Sequence, residues 1–376
     1  MKKIIFVVND DWFFKSHRLP IALRAKQLGY DVHIATGQYE GYSIFKEYGF
    51  KHHTFRIARG KVSPISDLFM LVDLCRLYFK VKPDIVHHVT IKPVIYGGIA
   101  SRIANVKGIV QAISGLGVIF IGEGIRDQIK KYLVSKLYKV ALGGKNSVII
   151  CQNTDDKATL ESLVGLPKLN FKIIKGSGVD LVALKYVPYK TRGNKRVVLL
   201  SRMLKDKGVL EFYEAAKLLK PSFSSTKFIL AGGTHDNPSS LDEKKLESWN
   251  KEGVIEWIGH VDNPNSVIED ADIVVLPSYR EGLPKVLLEA GAIGRAVVTT
   301  DVPGCRDAVI DGRTALVVKS KSIDELSEAI RTLLLDHELC VCMGLNGRQL
   351  VEKEFSIEHV VLKHFEIYDS FGNRSI

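Results

Sequence analysis

The feature that most constrains this chain is a pattern that occurs twice. Short runs of branched apolar residues at 4–8, 32–35, 84–89, 109–113 and 148–151 alternate with longer amphipathic stretches such as 19–28. Near Arg196 the alternation restarts, with runs at 197–200, 228–231, 255–258, 273–276, 296–299 and 315–318. A strand that is apolar on both sides must be covered on both, which is the setting of a parallel sheet with helices above and below it. Two such sets predict two doubly wound α/β domains.

Length agrees with that division. The chain has 376 residues, 46% hydrophobic and 25% charged, enough for two packed cores and unlike a disordered or fibrous chain. Between the two sets, residues 189–195 are polar and basic, as a surface linker would be. The reading is a first domain at 1–187, a second at 188–355, and a tail at 356–376. Ile357, Val360, Val361, Phe365 and Tyr368 recur at helical spacing there, so the tail is expected to be a helix docked back toward the first domain.

The five cysteines contain no CxxC pair, which speaks against a disulfide framework or a zinc site and for a reducing cytosol. The N-terminus is basic and then apolar, but the run stops at Asn9-Asp10, so it reads as a buried strand. No apolar run approaches the roughly 18–20 residues of a spanning helix, so a cytoplasmic protein attached peripherally to the inner membrane face is the expectation.

The net charge of +11 is unevenly placed. Residues 1–190 hold 29 Lys+Arg against 14 Asp+Glu, or +15, while residues 191–376 hold 24 against 28, or −4. Much of the excess lies at 125–145, where Arg126, Lys130, Lys131, Lys136, Lys139 and Lys145 accompany helically spaced Ile125, Ile129, Leu133, Leu137 and Val140. The apolar run 118–121 precedes it, between Gly115, Gly117, Gly122 and Gly124. A glycine-flanked apolar loop beside a basic helix suits an anionic membrane surface; a core helix with a solvated basic face is the other reading.

The most specific chemistry lies at 279–289, Tyr-Arg-Glu-Gly-Leu-Pro-Lys-Val-Leu-Leu-Glu. It follows a strand and opens a helix with Pro284 in the first turn, so the backbone N–H groups near Gly282 to Lys285 are expected at the carboxyl edge of a sheet. Glu281 stands before the helix and Glu289 inside it, two acceptors able to approach one ligand at different depths.

The Glu-x7-Glu pattern in "SYREGLPKVLLEA" resembles the retaining glycosyltransferases of family 4, which have the GT-B architecture of two facing Rossmann-like domains. "SRMLKDKGVLEFYEAAKLL", "FILAGG", "EWIGHVDN", "DADIVVLPS" and "VTTDVPGCRDAVIDGRTALVV" follow in the family's order. In the first domain, "HRLPIALRAKQLGYDVHIAT" and "KPDIVHHVTIKPVIYGGIASR" resemble its capsule and O-antigen branch. The resemblance implies that Arg202 and Lys207 bind the donor diphosphate, and cations there would stabilise a departing nucleoside diphosphate without a metal. It implies Glu289 on the ribose, Glu281 on the donor sugar, Gly282, Leu283 and Pro284 lining the pocket, and the base near Gly259 and His260. Glu281, Arg202 and Lys207 are the residues it places at the reaction, with no nucleophile assigned and no metal or other cofactor.

The first domain departs from the wider family. Asn9 to Arg18 replaces a Gly-Gly loop after the first strand, and Ser114 replaces a frequent histidine. Lys15, His17 and Arg18, near a helix start with Ser16 as cap, would cradle an acceptor phosphate. His87, His88, Thr90 and Lys92 gather at a strand end, and His88, Thr90, Lys92 and Ser114 join the acceptor set; His52 and His53 read as surface.

The expectation is therefore transfer of a sugar, N-acetylhexosamine or hexose, from a UDP-sugar to an undecaprenyl-diphosphate-linked saccharide. A sugar-nucleotide epimerase of the same fold is the alternative. A nucleic-acid-binding protein is disfavoured, because the basic stretch lacks stacking aromatics and any known nucleic-acid motif. No G-x-G-x-x-G follows the first strand, which disfavours a dinucleotide oxidoreductase.

Overall fold

The computed structural model describes residues 1–37, 43–58, 63–115, 125–144, 146–166, 169–190, 193–234 and 239–372. The chain divides into two units, Met1–Ser177 with Glu358–Ile376, and Gly178–Ile357.

In the first unit the order is β1 (Lys3–Val8), α1 (Asp11–His17), α2 (Leu19–Gln27), β2 (Asp31–Gly37), α3 (Ser43–Glu47), β3 (Lys51–Phe55), α4 (Pro64–Val81) and β4 (Ile85–Val89). A π-helical turn (Pro93–Gly97), α5 (Gly98–Ile103), β5 (Gly108–Ile113), α6 (Ile125–Leu142), β6 (Ser147–Cys151), α7 (Thr154–Val164) and β7 (Phe171–Ile173) complete it. All pairings are parallel, in the order β3-β2-β1-β4-β5-β6-β7. The order reverses between β1 and β4, so their carboxyl ends open a crevice there.

The second unit repeats the plan with β8 (Arg196–Leu200), α8 (Val209–Leu219), β9 (Lys227–Ala231), α9 (Glu243–Lys251), β10 (Glu256–Trp257) and α10 (Pro264–Glu269). It continues through β11 (Ile273–Leu276), α11 (Lys285–Ile293), β12 (Ala296–Thr300), β13 (Ala315–Val318), α12 (Ile323–Leu335) and α13 (His337–Glu354). Its parallel order is β10-β9-β8-β11-β12-β13, with the reversal between β8 and β11. Two apolar clusters, one on each face of this sheet, supply the covering that continuous apolar strands require.

The tail forms α14 (Ile357–Ser370), which belongs to the first unit. Its Tyr368 hydroxyl lies 2.6 Å from His87 Nδ1, and the Phe365 and Tyr30 rings meet edge to face at 6.3 Å.

The unit boundary falls at Ser177/Gly178 rather than at 187, because the intervening segment packs on the second sheet's helices. Val179 N–H donates to Phe355 O at 2.9 Å and Val187 N–H to Ile293 O at 3.0 Å. The stretch after it is also anchored: the Tyr189 hydroxyl donates to Asp272 O at 3.0 Å and accepts from Ala296 N–H at 2.6 Å. The apolar pattern gave no sign of β3 and β7, since Lys51-His52-His53-Thr54 is polar and Phe171-Lys172-Ile173 is short. The 118–121 run lies outside the described residues.

Candidate functional site

The second unit's crevice is built by loops that leave β8 and β11 side by side. After β8 the chain makes a 3-10 turn, Lys205–Lys207, and turns into α8 through Gly208 at φ +73°. A Cβ on Gly208 would stand 2.1 Å from Pro277 O, so only glycine lets the two loops approach this closely. Tyr279 N–H then donates to Asp206 O at 2.9 Å, fixing the loop after β11 to the turn after β8.

That contact brings together residues 74 apart in sequence. Lys207 Nζ donates to Glu281 Oε1 at 2.5 Å, and Ser278 Oγ donates to the same oxygen at 2.8 Å. Both members of the ion pair are largely shielded, with 16% and 13% of their side chains exposed. Glu281 is also held through its backbone, its N–H donating to Pro303 O at 3.2 Å. The Tyr279 hydroxyl donates to Glu211 Oε1 at 2.5 Å, so helix α8 braces the loop that carries Glu281. Nearby Cys305 is buried, and burial with the Glu281 charge pushes its thiol up to about 12, so it stays neutral.

Arg202 lies exposed at the end of β8, and its side chain makes no hydrogen bond or ion pair among the described residues. Gly282, Leu283 and Pro284 are buried, and Pro284 is the N-cap of α11 rather than part of its first turn. Its backbone there is extended, at φ −74° and ψ 118°, so the helix proper begins at Lys285. Glu289, one turn on, is 8% exposed and lies 3.3 Å from Lys285 Nζ. Burial raises the Glu289 carboxyl above the usual range and the Lys285 charge opposes the rise. Gly259 and His260 follow β10; Gly259 O accepts from Gly232 N–H at 2.7 Å, and the exposed His260 ring is 3.6 Å from Asp262.

Lys207 and Glu281 thus meet where the strand order reverses, with Arg202 in the loop that follows β8 and Glu289 in the helix that follows β11. Ser278, Tyr279, Glu211 and Lys285, which orient them, were not legible as site residues. The glycines at close approaches, Gly208 and Gly304, were the available signal, since a Cβ on Gly304 would meet Glu281 O at 2.6 Å.

The first unit treats its acceptor candidates less uniformly. Ser16 caps neither helix here: the N-cap of α2 is Arg18, with no side-chain hydrogen bond to the helix, the N-cap of α1 is Asp10, which accepts from Phe13 N–H at 2.7 Å, and the Ser16 hydroxyl bonds Trp12 O and His17 Nδ1. Lys15 and His17 therefore stand at the C-terminal end of α1, where the helix dipole favours their charge rather than an anion's. Arg18 is not a surface cradle: it is 3% exposed, and burial pulls its guanidinium down to about 10. His88 is likewise inside, bonded to Tyr78 Oη at 2.9 Å and Gln111 Oε1 at 3.0 Å, with no nitrogen left for a ligand. Lys92 is tied to Asp67 at 2.6 Å and to Ala58 O at 2.8 Å. His52 and His53 are half-buried, bonded to Thr36 and His33.

Thr90 and Ser114 fit a ligand site better. They follow β4 and β5, and each hydroxyl is buried without a hydrogen-bond partner among the described residues. Thr90 also adopts φ +74°, an uncommon conformation for a branched residue.

The fold is of the two-domain Rossmann-like class, and the Lys207–Glu281 pair stands at the strand switch point of its second unit. The chain belongs to the glycosyltransferases: residues 3–153 match the glycosyl transferase 4-like family and residues 188–350 match glycosyl transferases group 1. It is 26% identical over 366 residues to N,N'-diacetylbacillosaminyl-diphospho-undecaprenol alpha-1,3-N-acetylgalactosaminyltransferase of Campylobacter jejuni, covering 94% of each chain. It is also 26% identical to the capsular polysaccharide biosynthesis glycosyltransferase CapM of Staphylococcus aureus, covering 94% of this chain and 93% of that protein. Sucrose-phosphate synthase of Thermosynechococcus elongatus shares the fold at a TM-score of 0.82 and 19% identity, over 100% of both chains. Anabaena HepE, solved with UDP-glucose, shares it at 0.78 and 16%, over 98% of this chain and 100% of that one.

Proposed function

We propose that this glycosyltransferase moves a hexose or N-acetylhexosamine from a UDP-sugar, with retention and without a metal, to a polyprenyl-diphosphate-linked saccharide at the inner membrane face. The observation that carries the reading is the Lys207–Glu281 pair at 2.5 Å, with Arg202, unpaired among the described residues, in the loop after β8 at the same strand switch point. A cationic pair suits a diphosphate, and the carboxylates suit sugar and ribose hydroxyls. The name of the Campylobacter relative supports the acceptor class, and the UDP-glucose in HepE supports the donor class.

In this reading Arg202 and Lys207 hold the diphosphate while the bond from sugar C1 to the phosphate oxygen breaks. The acceptor hydroxyl bonds C1 on the same face, and its proton passes to the departing phosphate oxygen. Glu281 orients the sugar, and Glu289 the ribose. Positioning and charge stabilisation supply the rate.

The test is transfer from a panel of UDP-sugars to an undecaprenyl-diphosphate-linked acceptor, with the product anomer read by NMR and chelator included. Lys207→Ala is expected to lower kcat by about 10²–10³-fold, the usual loss when one charge-stabilising group is removed. Glu289→Ala is expected to weaken UDP binding. A wild type that binds no nucleotide sugar, or variants with unchanged turnover, would sink the assignment. So would an inverted product, for the stereochemical part, or interconversion of the donor sugar without acceptor.

A further inference from the structure

Helix α4 carries two apolar faces, and among the described residues only one of them packs into a core. Met70, Leu74, Tyr78 and Val81 point into the first unit's core. On the opposite side, Ile65 is 71% exposed, Leu68 59%, Phe69 43% and Phe79 55%, with Val72 half-buried between them. At helical spacing these residues fall within an arc of about 100° that spans about 21 Å, with the exposed Arg76 inside it between Val72 and Phe79. A helix on the surface of a soluble domain ordinarily turns polar residues outward, and a contiguous outward apolar stripe marks an interaction surface.

The charge around the stripe says what it fits. Both carboxylates of the helix are already paired, Asp67 with Lys92 at 2.6 Å and Asp73 with Arg56 at 2.6 Å. The Arg56 guanidinium also lies 4.1 Å above the Phe69 ring. Arg76 and Lys80, exposed on the outer half of α4, and Lys82 at its C-cap form no ion pair among the described residues. The outward side of α4 is therefore apolar from Ile65 to Val72 and mixes cations with Phe79 from Arg76 to Lys82, within a half of the chain that carries +15. Helix α6, in the same layer, likewise exposes Tyr132, Leu133 and Val140 beside Lys136 and Lys139.

We propose that the outward stripe of α4, Ile65, Leu68, Phe69, Val72 and Phe79, is the segment that beds into an anionic lipid surface, with Arg76 and Lys80 contacting the headgroups. Apolar side chains enter the acyl boundary while the cations stay in the headgroup layer, as in a helix lying in the interface plane. This deepens the membrane-linked acceptor reading by naming the attachment element.

The test is co-sedimentation of the full chain with phosphatidylcholine vesicles with and without phosphatidylglycerol, free of donor and lipid-linked acceptor. UDP binding is measured separately by calorimetry without vesicles, so failure of the surface and failure of the donor site are told apart. The wild type is expected to bind anionic vesicles and to be released by salt. Ile65→Ser with Leu68→Ser is expected to lower partitioning at least about tenfold, with an unchanged melting curve because both residues are exposed. Arg76→Ala with Lys80→Ala is expected to lower binding to anionic vesicles only and to flatten the salt dependence. The proposal is overturned if the wild type does not bind, or if the serine pair partitions as the wild type does. It is also overturned if the stripe instead joins two copies of the chain, read as a lipid-free dimer that the serine pair abolishes.

Discussion

Mild acid should open the first unit while the second stays closed. His88 is sealed between Tyr78 and Gln111, and its imidazole is pushed down to about 3 by burial. His364 is also pushed down to about 3, by burial and by the Arg18 charge, with Nδ1 2.8 Å from Val360 O. His87, bonded to Tyr368 and stacked on His364 at 5.4 Å, is lowered by burial and then by His364, Arg18 and His88. Each group binds protons more readily unfolded, near 6.5, than folded, so its contribution is complete above that value. It is lost progressively as pH falls toward about 3. At pH 5 the unfolded imidazoles are protonated and the folded ones are not, which costs about 2 kcal/mol each, or about 4 kcal/mol for His88 and His364 together. That is a large share of the roughly 5–15 kcal/mol that holds a typical domain folded. Hydrogen exchange read by mass spectrometry is the assay, corrected for the intrinsic pH dependence of exchange. Peptides from β4 and α14 should lose about a thousandfold in protection between pH 7 and pH 5. Peptides from β8 and β11 are the internal control, since His260 and His337 of the second unit are exposed. Equal protection of β4 at both pH values would refute the reasoning, because it would mean that the buried rings accept protons without opening the fold.

Arg18→Met is expected to raise the melting temperature, with a gain of about 1–2 kcal/mol. Among the described residues the buried guanidinium leaves Nε unpartnered and donates only to His17 O, at 2.9 Å; a lower melting temperature would contradict this. Gly208→Ala forces a Cβ against Pro277 O in a left-handed conformation, so a loss on the order of 3 kcal/mol in denaturant titrations of the second unit is expected, with UDP binding lost alongside it. Glu281→Gln removes the charge that holds Lys207. UDP affinity by calorimetry should be equal or higher while kcat falls, and weaker UDP binding would count against the proposed division of roles.

Local pattern made much of this protein legible. All six strands of the second sheet were readable because each is a short apolar run that must be covered on both faces, a property written into consecutive residues. The Glu281 to Glu289 motif was readable for the same reason, since its strand, turn and helix are contiguous. Strand β3 was hidden because its partners in burial are rings from elsewhere, with His53 stacked on His33 at 5.1 Å and His52 on Phe45 at 4.4 Å.

Residue type alone also misplaced His88, Arg18 and Ser16. Whether a histidine or arginine meets a ligand or a core depends on which distant side chains close over it, and α14 closes the core around His87 with Tyr368, 281 residues along the chain. In the same way the sequence by itself determined two parallel-sheet domains and the composition of the second unit's crevice. Only the tertiary structure decided that Lys207 would grip Glu281 and that α4 would turn a second apolar face outward. Periodicity is a local property of the chain, whereas pairing and exposure are set by packing between segments far apart in it.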